Sequence, residues 1–199
     1  MHSKKAIMRE NYYEVLKLIL SDYNMELFGR GLEDKTGISQ RTLSDNLLEL
    51  EKQHILKSKV MGNMKLFSLN TENTEIKDIL AMAEHQRKID FLSKHRKLAY
   101  LFKDDSRIVG IFGSYASGKE ANDSDLDMFI VGEKRAKDYD KLSLDLNLDI
   151  SIKYFSETEW AKLLKEKNPL TLEIMNNHIL IFGIGQFISN SWRNLYAYP

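Results

Sequence analysis

The stretch that most constrains the fold runs from Ile108 to Val131 and reads IVGIFGSYASGKEANDSDLDMFIV. Ile108 to Phe112 has the apolar, β-branched character of a buried strand, and Gly113-Ser114 punctuates it. Tyr115 to Ser124 is a polar interval that fits a short helical or looped excursion, and Asp125-Leu126-Asp127 then opens a second apolar run. Strand side chains alternate faces, so Asp125 and Asp127 share one side while Leu126, Met128 and Ile130 take the other. Two carboxylates that converge repel each other, and relief comes from protonation of one or from a bound cation. An all-oxygen donor set favours a hard ion, Mg²⁺ or Mn²⁺. Gly113 lets the backbone turn and a phosphate approach, and the Ser114 hydroxyl with neighbouring N–H groups can hold phosphate oxygens. A phosphate cradle facing two cation-binding carboxylates is the apparatus of phosphoryl or nucleotidyl transfer.

The string GSYASGKEANDSDLD resembles the signature of the polymerase β-like nucleotidyltransferase superfamily, and its spacing is most similar to that of the minimal nucleotidyltransferase (MNT) proteins. Ser117 departs from the pattern, since many members carry a basic residue there. The resemblance implies a third carboxylate from the following strand. Leu148 to Tyr154, LDISIKY, alternates as a strand should, and Asp149 at its start is the best match, with Asp145 as the fallback. The plain alternative for Asp149 is a surface residue at a strand end. The resemblance further implies that Asp125, Asp127 and Asp149 hold the metal ions that bridge a nucleoside triphosphate, that Asp149 helps to deprotonate the attacking hydroxyl, and that pyrophosphate leaves. Gly113 and Ser114 would contact the terminal phosphates, and Lys119 is either a further phosphate contact or an ordinary exposed loop lysine. MNT proteins often pair with a HEPN-family partner, some transferring AMP to a tyrosine of that toxin. A HEPN-family protein is therefore an expected partner and AMP the expected group transferred.

Ahead of this motif the periodicity is helical. Tyr12, Val15, Leu16, Ile19 and Leu20 recur at the spacing of an amphipathic helix that ends near Ser21 to Asn24. Gly31 to Lys35 is a short helical segment, Thr36-Gly37-Ile38 a turn, and Ser39 the N-cap of a helix reaching about Gln53. Ile55 to Val60 and Lys65 to Leu69 then read as a hairpin around Met61-Gly62-Asn63. Helix, helix, turn, helix, hairpin resembles the winged helix-turn-helix family. That resemblance implies that Gln40, Arg41, Thr42, Ser44 and Asp45 lie nearest base edges of double-stranded DNA, and that Lys57, Lys59 and Lys65 on the wing lie nearest phosphates. Asp45, Glu49 and Glu51 weaken the electrostatic attraction on which DNA affinity depends, so dimerisation or protein docking is the competing use of this unit.

Thr71 to about Lys103 returns to helix as one bent or two separate elements, with Arg87, Lys88, Lys94, Arg96 and Lys97 as a basic surface, more simply a solvated face. His95 reads as a packed or exposed histidine, because the sequence offers it no partner. Beyond Tyr154, Glu157 to Lys167 forms an amphipathic helix and Asn168-Pro169 restarts the chain into another helix before HILIFG, a short apolar strand. This tail is too short for an appended helical substrate-binding domain, so the acceptor hydroxyl is expected from another chain or from a homodimer interface. The aromatics Trp192, Tyr196 and Tyr198 are an interface or wrap their own domain.

The 29 basic and 29 acidic residues cancel, so any basic surface must be local. The absence of cysteine excludes disulfides, thiolate metal sites and Cys nucleophiles. No apolar run approaches the roughly 20 residues that span a bilayer, and the N-terminus lacks an uninterrupted apolar core, so a cytoplasmic protein without membrane contact is expected. The fold expected is α+β: a winged helix-turn-helix over 1–72, a helical connector over 73–103, and over 104–199 a small nucleotidyltransferase-fold domain with a mixed sheet flanked by helices. A metal-dependent nucleotidyltransferase placed by its winged helix on DNA or a partner is the first functional expectation. A DNA-binding transcriptional regulator, whose second domain senses nucleotide or mediates assembly, is the other.

Overall fold

The computed structural model describes residues 10–29, 31–99, 102, 104–121, 123–135, 139, 143–145 and 147–195. The chain divides into two compact units, 1–83 and 84–199. Tyr196 and Tyr198 lie outside the described residues.

In the first unit, α1 (Glu10–Ser21) buries Val15, Leu16, Ile19 and Leu20 completely, as their helical spacing requires. A two-residue strand, β1 (Leu27–Phe28), precedes the single turn of α2 (Glu33–Thr36), which Gly37 ends at φ +66°. Helix α3 (Gln40–Lys52) follows, capped by Ser39, whose hydroxyl accepts from the Thr42 N–H, and it buries Leu43, Leu47 and Leu50. Strands β2 (Leu56–Met61) and β3 (Met64–Leu69) pair from Leu56↔Leu69 to Met61↔Met64. The two-residue loop between them opens with Gly62 at φ +60°, the conformation a type II′ hairpin turn needs first. β1 adds antiparallel to β3, so the sheet order is β1-β3-β2.

Each hairpin lysine expected to meet phosphate faces a carboxylate of its own unit. Lys65 pairs with Glu51 at 2.7 Å, Lys59 with Glu26, and Lys57 with Glu72 at 4.0 Å. The hydrogen bonds from Lys65 and then Ser58 hold the Glu51 carboxyl below the ordinary carboxylate range.

Helix α4 (Ile76–Lys94) runs from the first unit into the second, and α5 (Arg96–Ala99) follows after a break at His95. Among the described residues, the helical pattern expected over 71–103 is two helices. Within the second unit, β4 (Ile108–Phe112), β5 (Leu126–Val131), β6 (Ile150–Phe155) and β7 (His178–Phe182) form a mixed sheet of order β6-β5-β4-β7. β4 is antiparallel to both β5 and β7, and β5 is parallel to β6. The helices are α6 (Gly113–Ser117), α7 (Glu157–Lys165), α8 (Pro169–Asn176) and α9 (Ile184–Leu195). Ser156 and Asn168 cap α7 and α8 by accepting from the N–H groups of Glu159 and Leu170.

One face of this sheet buries Val109, Ile111, Leu126, Met128, Ile130, Ile179 and Ile181 with Phe91 and Leu98. On the other, Phe129 stacks on Trp160 at 5.8 Å and 7° and packs on Phe187 of α9. Gly110 makes room for that ring, since a Cβ there would fall 2.3 Å from Phe129 Cε1. The central strands are therefore apolar on both faces, and only their ends are free to carry polar chemistry. No helix among the described residues is long and apolar enough to cross a membrane.

The basic surface expected along α4 is not uniform. Lys88 bends inward, donates to the Ile181 carbonyl and lies 5.0 Å over the Phe182 ring. Burial lowers its pKa, opposed by the Asp104 charge.

Asp105 and Arg107, both nearly buried, form a bidentate pair at 2.6 and 3.0 Å ahead of β4. Burial alone would raise the Asp105 pKa, but the hydrogen bonds from Arg107, with its charge and that of Arg135, bring it below the ordinary range. A carboxyl depressed in the native state contributes stability that is present above its unfolded pKa and lost as pH falls through the native one. Thermal melts between pH 7 and pH 2 should show wild type losing this contribution below about pH 4. Asp105→Asn should be less stable at pH 7 and flatter across that acid window.

Candidate active site

The motif residues meet at one end of the second sheet. β4 delivers Gly113 at its C-terminal end, antiparallel β5 delivers Asp125 and Asp127 at its start, and β6 delivers Asp149 one residue before Ile150. The Ile111↔Met128 pairing fixes this meeting, because the next row sets Phe112 against Asp127. Gly113 takes φ +70°, and a Cβ there would lie 2.6 Å from Asp127 Oδ2 and 3.4 Å from Asp127 Cβ and Cγ. Only glycine satisfies both the dihedral and the contact. Gly113 and Ser114 open α6, whose N-cap, Phe112, supplies no side-chain acceptor, so its first N–H groups have no side-chain cap. The Asn177 side chain, at the C-cap of α8, donates to the Gly113 carbonyl at 3.1 Å and fixes the turn from behind.

Burial first, and then the charge of Asp125, hold the Asp127 carboxyl above the ordinary carboxylate range, while Lys153 acts in the opposite direction. The adjoining Asp125 and Asp127 side chains form an anionic site. With oxygen donors alone, Asp125 and Asp127 suit a hard divalent cation. Asp149 is exposed, and its carbonyl accepts from the Leu126 N–H at 2.8 Å, which puts it in the register row of Asp125. Among the described residues no three His, Asp or Glu side chains already stand in metal-binding proximity.

Lys119 is exposed, with its N–H on the Ser114 carbonyl at 3.0 Å, and it is not among the charges acting on Asp127. The Ser117 hydroxyl turns back to the carbonyls of Gly113 and Ser114 at 3.1 and 2.9 Å. Asp145, the fallback carboxylate, is exposed in a helical turn. His95 does have a partner: its Nε2 lies 3.5 Å from Glu120, with the Phe91 ring at 4.4 Å and the Tyr115 ring at 5.8 Å. Gln40, Arg41, Thr42, Ser44, Lys57, Lys59 and Lys65 belong to the first unit. Sequence reasoning missed Asn177 and Lys153, whose relation to the motif depends on strand order and is invisible along the chain.

Gly113→Ala is expected to lower nucleotide affinity more than tenfold, because the new methyl must displace the Asp127 carboxylate. The left-handed dihedral adds about 1–2 kcal/mol of strain. Titration with nucleoside triphosphate and a thermal melt read the two effects separately.

The glycine-serine turn thus closes on an aspartate pair across antiparallel strands at one end of the sheet. Residues 96–186 match the family described as Polymerase beta, Nucleotidyltransferase, which supports placing this part of the chain in the nucleotidyltransferase superfamily. No curated protein matches the sequence. Among solved structures, a crystal structure of a toxin-antitoxin with AMP-PNP is 15% identical over 57% of this chain and 85% of that one, with a TM-score of 0.34. A likeness so distant places neither function nor partner.

Proposed function

We propose that residues 84–199 carry a metal-dependent nucleotidyltransferase that moves a nucleoside monophosphate, with AMP the first candidate, from its triphosphate to a hydroxyl on a protein or other acceptor. The carrying observation is the closure of the Gly113 turn on the Asp127 carboxylate beside Asp125, within the segment that matches the nucleotidyltransferase family. Gly113 and Ser114 hold phosphate oxygens through backbone N–H and hydroxyl groups, with Lys119 in reach of the outer phosphates. Asp125 and Asp127 would hold Mg²⁺ or Mn²⁺, and Asp149 would complete the set. Such an ion, when bound, offsets negative charge on the phosphates and polarises the phosphorus–oxygen bonds. Asp149 also takes the proton of the acceptor hydroxyl. That oxygen bonds to the α-phosphorus, the bond to the β-phosphate oxygen breaks, and pyrophosphate leaves.

The first unit is, on this reading, a winged helix-turn-helix, supported by its element order and by the Ser39 cap. Arg41, Gln40 and Ser44 are exposed on α3 and remain available to a duplex. A second use, docking of a partner protein such as a HEPN-family acceptor, is favoured by the hairpin. Its lysines are already ion-paired, while Val60, Met61 and Met64 are exposed at its tip. Salts weaken a phosphate contact and leave an apolar one intact, so the salt dependence of binding separates the two.

Incubation of the protein with each of four α-labelled nucleoside triphosphates, Mg²⁺ and a cell lysate, followed by electrophoresis, tests the proposal. A single labelled acceptor is expected, lost with chelator. Binding of nucleotide with no label transferred and no pyrophosphate released would leave a nucleotide sensor in its place.

A further inference from the structure

Beside the aspartate pair, β6 carries a lysine without a hydrogen-bond or ion-pair partner among the described residues. β6 is the outer strand of the second sheet, and its pairing with β5 sets Asp127 beside Ser151 and Phe129 beside Lys153. In-register neighbours on parallel strands point to the same face, so Asp149, Ser151 and Lys153 make a row along the open side of Asp125 and Asp127. Asp149 and Lys153 are exposed and Ser151 is half-buried, so the row is reachable from solvent. Lys153 makes no hydrogen bond or ion pair with any described side chain. It differs in this from Lys57, Lys59, Lys65 and Lys88, each of which is held by a carboxylate or a carbonyl.

We propose that Lys153 is a substrate-contacting residue of this site, its ammonium meeting the phosphate chain of the nucleoside triphosphate held beside Asp125 and Asp127. This rests on the nucleotidyl-transfer reading and adds to it a residue outside the motif. A triphosphate brings several negative charges to a place that already has two carboxylates. The Ser117 hydroxyl is turned to its own helix, whereas Lys153 stands two residues along β6 from Ser151, the residue paired with Asp127. A lysine is a compact charge on a flexible stem, and two rows along β6 its reach covers the position of Asp127. From an outer strand it can follow the phosphates as they change from triphosphate to pyrophosphate.

The test is calorimetric titration of the full chain in Mg²⁺, with each of the four ribonucleoside triphosphates, inorganic tripolyphosphate and AMP as probes, for wild type, Lys153→Met and Lys153→Arg. Lys153→Met should weaken triphosphate and tripolyphosphate by about tenfold each, AMP by less than threefold, and Lys153→Arg should restore triphosphate to within about threefold of wild type. Thermal melts should coincide, since Lys153 is exposed. Wild-type affinity of Lys153→Met for the triphosphates would overturn the inference and leave nucleotidyl transfer standing. Failure of folded wild type to bind any triphosphate would remove the nucleotidyl-transfer reading and this inference with it.

Discussion

Asp127→Asn is expected to lower nucleotidyl transfer by about a thousandfold or more, roughly 4 kcal/mol of transition-state stabilisation. The substitution keeps the shape that Gly113 packs against, so the loss isolates the charge. Asp125→Asn should act similarly, and the double variant should be little worse than the worse single, because residues that work as a unit are not additive. Stability should move the other way. Burial and Asp125 both disfavour the charged form of Asp127, so the neutral amide should melt at the same temperature or slightly higher than wild type without added metal. Initial rates of pyrophosphate release and a thermal melt of the same preparation distinguish loss of chemistry from loss of fold.

The largest expected stability effect is far from the motif in sequence. Glu84 and His178 are fully buried, 94 residues apart, and joined at 3.1 Å between Glu84 Oε1 and His178 Nε2. Nδ1 of the same ring faces the carbonyls of Ile174 and Met175 at 2.8 and 3.1 Å, and Glu84 Oε2 has no hydrogen-bond partner among the described residues. His178→Ala leaves the Glu84 carboxyl buried with neither oxygen paired, at a cost of about 3–5 kcal/mol. Glu84→Gln keeps a group for Nε2 to meet and should cost less than half as much. Replacing both by leucine should be milder than either single truncation to alanine, since no uncompensated polar group remains. Urea unfolding read by Trp fluorescence would rank them, as Trp160 is buried in the same unit. Because Asn177, next to His178, holds the Gly113 carbonyl, His178→Ala should also weaken nucleotide binding.

The elements that sequence reading located are those whose signal is local. Ser39 and Pro169 mark helix starts by capping chemistry and a preset dihedral, and the structure begins α3 and α8 within a residue of each. The Gly113 turn and aspartate pair were legible because glycine, spacing and strand alternation all constrain the same few residues. The contacts that complete the site were not. Lys153 reads as an ordinary outward strand lysine until β6 is known to lie parallel beside β5. Asn177 reaches Gly113 across 64 residues, and Glu120 reaches His95 across the loop after α6. The two residues of β1 are too few to show alternation.

Parallel incubation with α-labelled and γ-labelled nucleoside triphosphate, in Mg²⁺ and the presence of the labelled acceptor, is the most direct measurement. Nucleotidyl transfer places the α label on the acceptor and sends the γ label into free pyrophosphate. Both signals should vanish in the Asp125→Asn/Asp127→Asn double variant and with chelator. Movement of the γ label to the acceptor, or α labelling that survives in the double variant, would contradict a nucleotidyltransferase centred on these two aspartates.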